Sequence, residues 1–405
     1  MKDSAHPDNN QLTGCMLYVP WQFDMLGGVD VVVDRIASGM DRRSFPCRIW
    51  IGEQDWIKTG EYHDKEGRAF ISVNLPAPPI GFNLGWLRYA VTFGRRAGGL
   101  MRLLSQYGIG VVNCHFPTAN VYPLALLKSL GLWRGRLVLS FHGSDVLEVK
   151  PGQHLWRTIA GATDAVTAVS ASLARQVAET GLWPIEKIHV VPNGIDFEKF
   201  TPDRPSPLEG SNFRYVLAVG NFVPLKGHDV LLDAFSKVAA RHPDMHLVLA
   251  GGAQKGDWLA HLKKCAAELG LDGKIHFLAD VPHGQIPALV GGAELFAHPS
   301  HREAMGLVLL EAAAMGRAVV ATTVGGIPEI IASPDLGRLV PPGDPDQLAK
   351  EIDALLDDAP LRNSLGDRLR TSVQSRFSVR SMNDAYGHVL FGRHGDSTCI
   401  AGPSP

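Results

Sequence analysis

Short runs of aliphatic and β-branched residues alternate with longer segments of helical period almost from end to end of the chain. Strand candidates in the first half are "CMLYV" (15–19), "CRIWI" (47–51), "GVVNCH" (110–115), "RLVLSF" (136–141), "DAVTAV" (164–169) and "IHVV" (188–191). In the second half they are "RYVLAVG" (214–220), "HLVLAG" (246–251), "IHFL" (275–278), "ELFAH" (294–298) and "AVVAT" (318–322). Between them, Val29, Val32, Val33, Ile36 and Met40 recur on one helix face, as do Leu231, Leu232, Phe235 and Val238. Apolar strands separated by helices belong to parallel sheets covered on both faces, so the predicted class is α/β.

The two strand sets are separated by "TPDRPSPLEGSN" (201–212), whose three prolines and lack of apolar period read as a linker. The predicted halves are residues 1–200 and the stretch beginning at 213, each a doubly wound Rossmann-like sheet. Such sheets take ligands beyond the carboxyl ends of their strands, so two facing sheets predict a cleft floored by strand-end loops. The polar end, residues 393–405, reads as a flexible tail.

Composition narrows the class. With 405 residues the chain is too long for one core. A formal charge of -2 gives no general attraction for nucleic acid. Five scattered cysteines without a CxxC pair argue against a disulfide framework or zinc cage and fit a reducing compartment. The polar N-terminus has no signal-peptide core, and no apolar run approaches the roughly 20 residues of a membrane span. The expectation is a cytoplasmic enzyme.

The first candidate site is "HREAMGLVLLEAAAMG" (301–316), which keeps Glu303 and Glu311 at either end of a core-like run. The helix is predicted to start near Met305 or Gly306, placing Glu303 in the loop at its mouth and Glu311 inside it. A helix start offers free N–H groups to phosphate, and Gly306 admits close approach. A carboxylate accepts two hydrogen bonds from a vicinal diol. A nucleotide sugar has a diol at each end and a diphosphate between, matching the order acid, amides, acid. The same spacing also fits a first-turn acid favouring the dipole and a surface glutamate.

In "VGNFVPLKGHDVLLDAF" (219–235), Lys226 lies between a strand end and a helix, where it suits a diphosphate or is a solvated loop lysine. Gly325 and Gly326 in "TTVGGIPEII" (322–331) read as a tight turn, either structural or lining the same cleft. Asp344 and Asp346 resemble a DxD metal motif, but Asp344-Pro345 reads better as a helix N-cap and first position. In the first half, "LSFHGSDVLE" (139–148) places His142 and Asp145 at a strand's carboxyl end, fit for a sugar or for capping the next helix. Gly27 and Gly28 open the first helix, and Asn193-Gly194 read as turn residues closing the half.

From Gly67 to Ser144 there is no acid, and Arg88, Arg95 and Arg102 fall together on a helical wheel opposite Trp86, Phe93, Leu100 and Leu104. A basic amphipathic helix lies on an anionic membrane or packs its apolar face in a core.

Together these blocks resemble the retaining glycosyltransferases of family 4, which have the GT-B architecture. The resemblance rests on "PSHREAMGLVLLEAAAMGRAVVAT", matching the family's E-x7-E block, with "VGNFVPLKGHDVLL", "VVPNGIDFEKF", "FHGSD", "GGVDVVV" and "GGIPEI" in the family's order. It implies a UDP- or GDP-linked sugar donor held mainly by a C-terminal domain of residues 213–378, and no divalent metal. Residues 379–392 would form a helix crossing back to the N-terminal domain. The implied catalytic residues are His142, Glu303 and Lys226, with Glu303 on the transferred sugar. The implied donor-binding set is Gly28, Asp145, Asn221, Gly306, Leu307 and Glu311, with Glu311 on the ribose. The implied acceptor is a hydroxyl of a glycan, glycolipid or lipid-linked oligosaccharide in cell-envelope or exopolysaccharide synthesis, reached by front-face attack, on the inner face of a membrane. One departure is Asn221, where many members carry arginine, so Lys226 is the loop's one cation. Rival readings are a glycoside hydrolase or phosphorylase and a non-catalytic nucleotide-sugar binder; no GxGxxG supports a dinucleotide enzyme.

Overall fold

The computed structural model describes residues 14–21, 28–41, 47–52, 60–63, 69–73, 75, 77–79, 84–200, 208, 211, 213–253 and 256–392. The chain forms two compact units. One comprises residues 1–168, 174–191 and 383–405; the other comprises 169–173 and 192–382.

The first unit holds strands β1 (Gly14–Val19), β2 (Cys47–Gly52), β3 (Gly60–His63), β4 (Ala69–Val73), β5 (Ile109–His115), β6 (Arg136–Phe141), β7 (Ala165–Ala168) and β8 (Ile188–Val190). Its helices are α1 (Gly28–Asp41), α2 (Gly85–Gln106), α3 (Tyr122–Ser129), α4 (His154–Ala162) and α5 (Ala171–Glu179), the last beginning in the short stretch assigned to the second unit. The sheet order is β3-β4-β2-β1-β5-β6-β7-β8, parallel except where β3 pairs antiparallel with β4. Val32, Val33 and Ile36 of α1 are fully buried, as are Val112, Cys114, Leu137 and Val138 in the strands, because each element offers one apolar side to the sheet.

In the second unit the strands are β9 (Arg214–Val219), β10 (Met245–Gly251), β11 (Ile275–Ala279), β12 (Leu295–His298), β13 (Val319–Thr322) and β14 (Arg338–Val340). The helices are α6 (His228–Arg241), α7 (Trp258–Glu268), α8 (Ile286–Gly292), α9 (Leu307–Ala314), α10 (Ile327–Ile330), α11 (Pro345–Asp357), α12 (Ala359–Arg376) and α13 (Val379–Phe391). The sheet is parallel throughout, in the order β11-β10-β9-β12-β13-β14. Leu231, Leu232, Phe235 and Val238 of α6 pack on Val216, Leu247 and Leu249 in its core, as the helical period predicted.

The eleven predicted strands are all present, and the α/β class holds. Three further strands went unpredicted: β3 is a short polar edge strand, β14 has three residues, and β4 follows directly on polar sequence. The unit boundary lies at 191/192 rather than near 200. Asn193 and Gly194, expected to turn at the end of the first half, instead run through the second unit. Ile195 donates its N–H to Phe377 O at 2.8 Å and accepts from Val379 N at 3.2 Å. Gly194 is needed for this crossing, since a Cβ there would lie 2.6 Å from Val379 Cα. The linker expected at 201–212 falls, except for Leu208 and Ser211, outside the described residues, as do Gly27 and the tail 393–405. From Asn383 onward α13 belongs to the first unit, where Asn383 donates to Arg35 O and Arg136 to Val389 O.

Candidate active site

In the second unit β9 and β12 are neighbours, yet the chain leaves β9 toward β10 on one side and runs from β12 toward β13 on the other. Loops leaving such a pair diverge and open a crevice beyond the carboxyl ends of the strands. The β9 loop passes Gly220 and Asn221, makes a 3-10 turn over Pro224–Lys226 and enters α6 at Gly227. The β12 loop runs from His298 to Gly306, which precedes α9. The loops touch: His301 N–H donates to Leu225 O at 2.9 Å, and a Cβ on Gly227 would lie 2.2 Å from Pro299 O. Only glycine permits that approach, at a φ of 63°.

This contact brings together two expected site residues. Lys226 Nζ lies 2.6 Å from Glu303 Oε2. His298, buried at the end of β12, places Nε2 3.2 Å from the same oxygen and 3.1 Å from Ser300 Oγ. Thr322 Oγ1 donates to Ser300 O at 2.6 Å and ties the loop to β13. Burial alone would raise the Glu303 carboxyl, but the Lys226 ammonium and the His298 hydrogen bond outweigh it and hold the group at about 2. Burial, with His298 and Lys226 nearby, lowers His228 to about 3, so that ring stays neutral. Glu303 is therefore a charged acceptor, and Lys226 a cation held in place.

Gly325 and Gly326 resolve toward positioning. Gly325 has φ 55°, and a Cβ on it would stand 1.5 Å from Glu303 O; one on Gly326 would stand 2.4 Å from Ala304 O. The "GG" pair is the seat on which the Glu303 loop rests. Glu311 lies on α9 and is 2% exposed, with Oε1 3.0 Å from Nε2 of the half-exposed His283. Leu307 and Val308 open α9, where amides lie outside the helix ladder. Asn221 is exposed in the β9 loop. Asp344 caps α11 by accepting from Gln347 N at 2.9 Å, and Asp346 pairs with Lys237, matching the helix-start reading.

In the first unit, β1 and β5 form the corresponding divergence. Gly28 opens α1, which follows β1, and is exposed. His142 follows β6 and is half-buried, its N–H donating to Asp145 Oδ2 at 2.8 Å. Asp145 Oδ1 accepts from Gly143 N at 2.7 Å. Asp145 is fully buried and closes its own loop, as a capping acid does. Burial raises its carboxyl to about 6 despite those amide bonds.

Residues 26–199 match the family described as Glycosyltransferase Family 4, and residues 199–371 match Glycosyl transferases group 1. The GDP-mannose-dependent alpha-(1-6)-phosphatidylinositol monomannoside mannosyltransferase of Mycolicibacterium smegmatis is 30% identical over 363 residues, covering 84% of this chain and 88% of that protein. The chain belongs to glycosyltransferase family 4.

This glycosyltransferase is also 29% identical to the phosphatidyl-myo-inositol mannosyltransferase of the same organism over 371 residues, covering 89% of this chain and 87% of that one. Its fold is that of a glycosyltransferase from Rickettsia africae, with TM-score 0.75 and 21% identity over 93% of this chain and 97% of that one. It is likewise that of Anabaena HepE in complex with UDP and glucose, with TM-score 0.72 and 21% identity over 92% and 98% of the two chains. It is a hexosyltransferase of GT-B fold that moves a sugar from a nucleotide-sugar donor to a hydroxyl-bearing acceptor.

Four histidines of the glycosyltransferase escaped the sequence reading: His115, His228, His283 and His298. Two carried a signal. His115 and His298 each end a mostly apolar strand, at the carboxyl end where ligand crevices of open α/β sheets form. On α2, Leu100 and Leu104 of the predicted apolar face are buried, Trp86 and Phe93 are half-buried, and Tyr89, outside the predicted set, is buried as well. Leu84, Leu87 and Val91 are nevertheless exposed, in the same stretch as exposed Arg88 and Arg102. No helix among the described residues is long and apolar enough to cross a membrane.

Proposed function

We propose that this glycosyltransferase transfers mannose from GDP-mannose, with retention of configuration, to an inositol-bearing phospholipid at an anionic membrane surface. The observation that carries the reading is the knot at the end of β12, where Glu303 is held ionised between Lys226 and His298. Glu303 accepts hydrogen bonds from hydroxyls of the transferred sugar, and Glu311 from the ribose. Lys226 and the opening amides of α9 meet the diphosphate, whose negative charge grows as the sugar departs; such preorganised charge is the largest contribution in reactions of this kind. His142 and Gly28 take the donor-contact roles that the family resemblance implies, and Leu307, Gly306 and Asn221 contribute backbone or amide contacts. The diphosphate takes the acceptor proton on the attacked face, and no metal is needed. The names of the mannosyltransferase relatives support the donor and the acceptor.

The α2 surface supports the membrane half of the reading. Leu84 is 89% and Leu87 69% exposed, and Arg88 stands beside them, so apolar side chains enter the interface while arginines meet lipid phosphates. The enzyme is then cytoplasmic and peripheral on the inner face of the membrane.

The test is incubation with radiolabelled GDP-mannose and vesicles containing phosphatidylinositol, with and without EDTA. Label entering the lipid as an α-mannoside in both arms is expected. Stabilisation by UDP-sugars but not GDP-mannose overturns the donor assignment; a donor at 100 times its Kd adds about 2.7 kcal/mol. Rates that vanish with EDTA and return with magnesium overturn metal independence. Unchanged vesicle cosedimentation in a Leu87→Asp, Val91→Asp variant overturns the membrane assignment.

A further inference from the structure

A line of buried polar groups crosses the first-unit sheet and ends on His142. Thr167 Oγ1 donates to Ser140 Oγ at 2.7 Å, and Ser140 Oγ donates to Asn113 Oδ1 at 2.8 Å. Asn113 Nδ2 lies 2.9 Å from His115 Nε2, and His115 Nδ1 lies 2.9 Å from His142 Nε2. Asn113, His115 and Ser140 are fully buried, and Thr167 nearly so. Tyr386 of α13 packs its ring 5.9 Å from that of His115 and closes the side. Packing does not require four buried polar side chains on three adjacent strands, with His115, Ser140 and Thr167 in one register; Val, Leu and Phe fill neighbouring positions.

The direction of the chain follows from the chemistry of each link. Ser140 donates to the Asn113 oxygen, so the amide nitrogen faces His115, and an amide nitrogen only donates. His115 Nε2 must therefore accept. A neutral imidazole carries one N–H, which for His115 is then on Nδ1 and donates to His142 Nε2. His142 in turn carries its proton on Nδ1. Burial lowers His142 to about 4, and burial together with the neighbouring His142 holds His115 well below the ordinary imidazole value, so both rings are neutral at pH 7. Two constraints thus meet on this residue: Asp145 holds its main chain, and His115 holds its ring.

We propose that Asn113 and His115 are positioning residues that lock His142 as its Nδ1–H tautomer, so that it offers the transferred sugar a hydrogen-bond donor and not a base. The inference rests on the reading above that His142 contacts the sugar. It gives that residue a sign: it binds a sugar hydroxyl or ring oxygen through its N–H and takes no proton from the acceptor. That division suits a reaction in which the leaving diphosphate removes the proton.

The tautomer is read directly from the imidazole nitrogen shifts and their carbon-bound proton correlations in 15N-histidine-labelled whole enzyme, with His142 assigned by its loss in His142→Ala. The expected result in the wild type is a protonated Nδ1 and bare Nε2 on His142, and the reverse assignment overturns the proposal. In His115→Phe the His142 signals shift toward the other tautomer, and kcat falls at least 10-fold with nucleotide Kd within 2-fold of wild type. Asn113→Leu, which leaves His115 in place, produces the same shift to a smaller extent and serves if His115→Phe does not fold. Unshifted His142 nitrogens in a folded variant overturn the relay. Normal turnover in His142→Ala, with the tautomer shift present in His115→Phe, instead overturns the contact of His142 with sugar and leaves the relay standing.

Discussion

Lys226 Nζ donates to Glu303 Oε2 across 2.6 Å, although the two residues lie on loops from different strands of the second unit. Both side chains are mostly buried, at 26% and 14% exposure, so their attraction is screened far less than on the surface. The pair fixes the cation and keeps the acid ionised, as the proposed contacts with diphosphate and sugar hydroxyls require. Replacing Lys226 by Met leaves Glu303 buried without its cation. Turnover of Lys226→Met is expected to fall at least about 100-fold, in the range for loss of one preorganised electrostatic group, with weaker nucleotide-sugar binding. Steady-state rates and calorimetric titration with the donor check both; a near-normal kcat/KM removes Lys226 from the mechanism.

Acid stability follows from the same pair. Glu303 sits at about 2 in the folded chain against an ordinary 4.5, so its folded value is depressed. Its contribution is present above pH 4.5 and is lost as pH falls toward 2, to a total of about 3 kcal/mol. His142 acts earlier: lowered to about 4 from 6.5, it stays neutral when folded while the unfolded ring takes a proton, so stability drops between pH 6.5 and 4. Denaturant titrations at pH 7, 5 and 3 are expected to show a continuous decline. In Glu303→Gln the decline below pH 4.5 becomes shallower; identical slopes contradict the assignment.

The proposed roles of the two acids divide binding from turnover. Glu311→Ala is expected to weaken nucleotide binding sharply, by about 10-fold or more, since a buried acceptor to a diol is lost. Glu303→Ala is expected mainly to lower kcat. Calorimetry with the bare nucleoside diphosphate separates them: Glu311→Ala loses affinity for it, and Glu303→Ala does not. Equal, near-wild-type values for both variants would remove the site.

Gly325→Ala tests the seat beneath Glu303. A methyl there meets Glu303 O at 1.5 Å, at a φ of 55° that alanine adopts only with strain, so the loop must move. The variant is expected to lose about 2 kcal/mol or more of stability and at least 10-fold in turnover. Gly284→Ala, with open space around its Cβ, is the control for a loop glycine. A thermal melt and a single-turnover rate decide the matter.

Much of this architecture is written locally. Continuous apolar strands such as Arg214–Val219, and the one-sided period of His228–Arg241, announce a buried parallel sheet from the residues alone. Glu303 and Glu311 were visible because acids stand out in an apolar run. His298 and His283 were not, since a lone histidine says nothing about which carboxylate it will meet. Asp145 was legible as polar and strand-terminal, but the main-chain N–H groups of His142 and Gly143 that it accepts from are set by the folded loop.

The division between chain and fold has a physical basis. Hydrophobic period and turn chemistry act over a few residues, so element order, the α/β class and the family motifs were readable along the chain. Pairing of Lys226 with Glu303, 77 positions apart, and the line from Thr167 to His142 arise only when neighbouring strands set their ends side by side. Hydrogen bonds need ångström-scale registration, which burial of the apolar strands provides and no local pattern encodes.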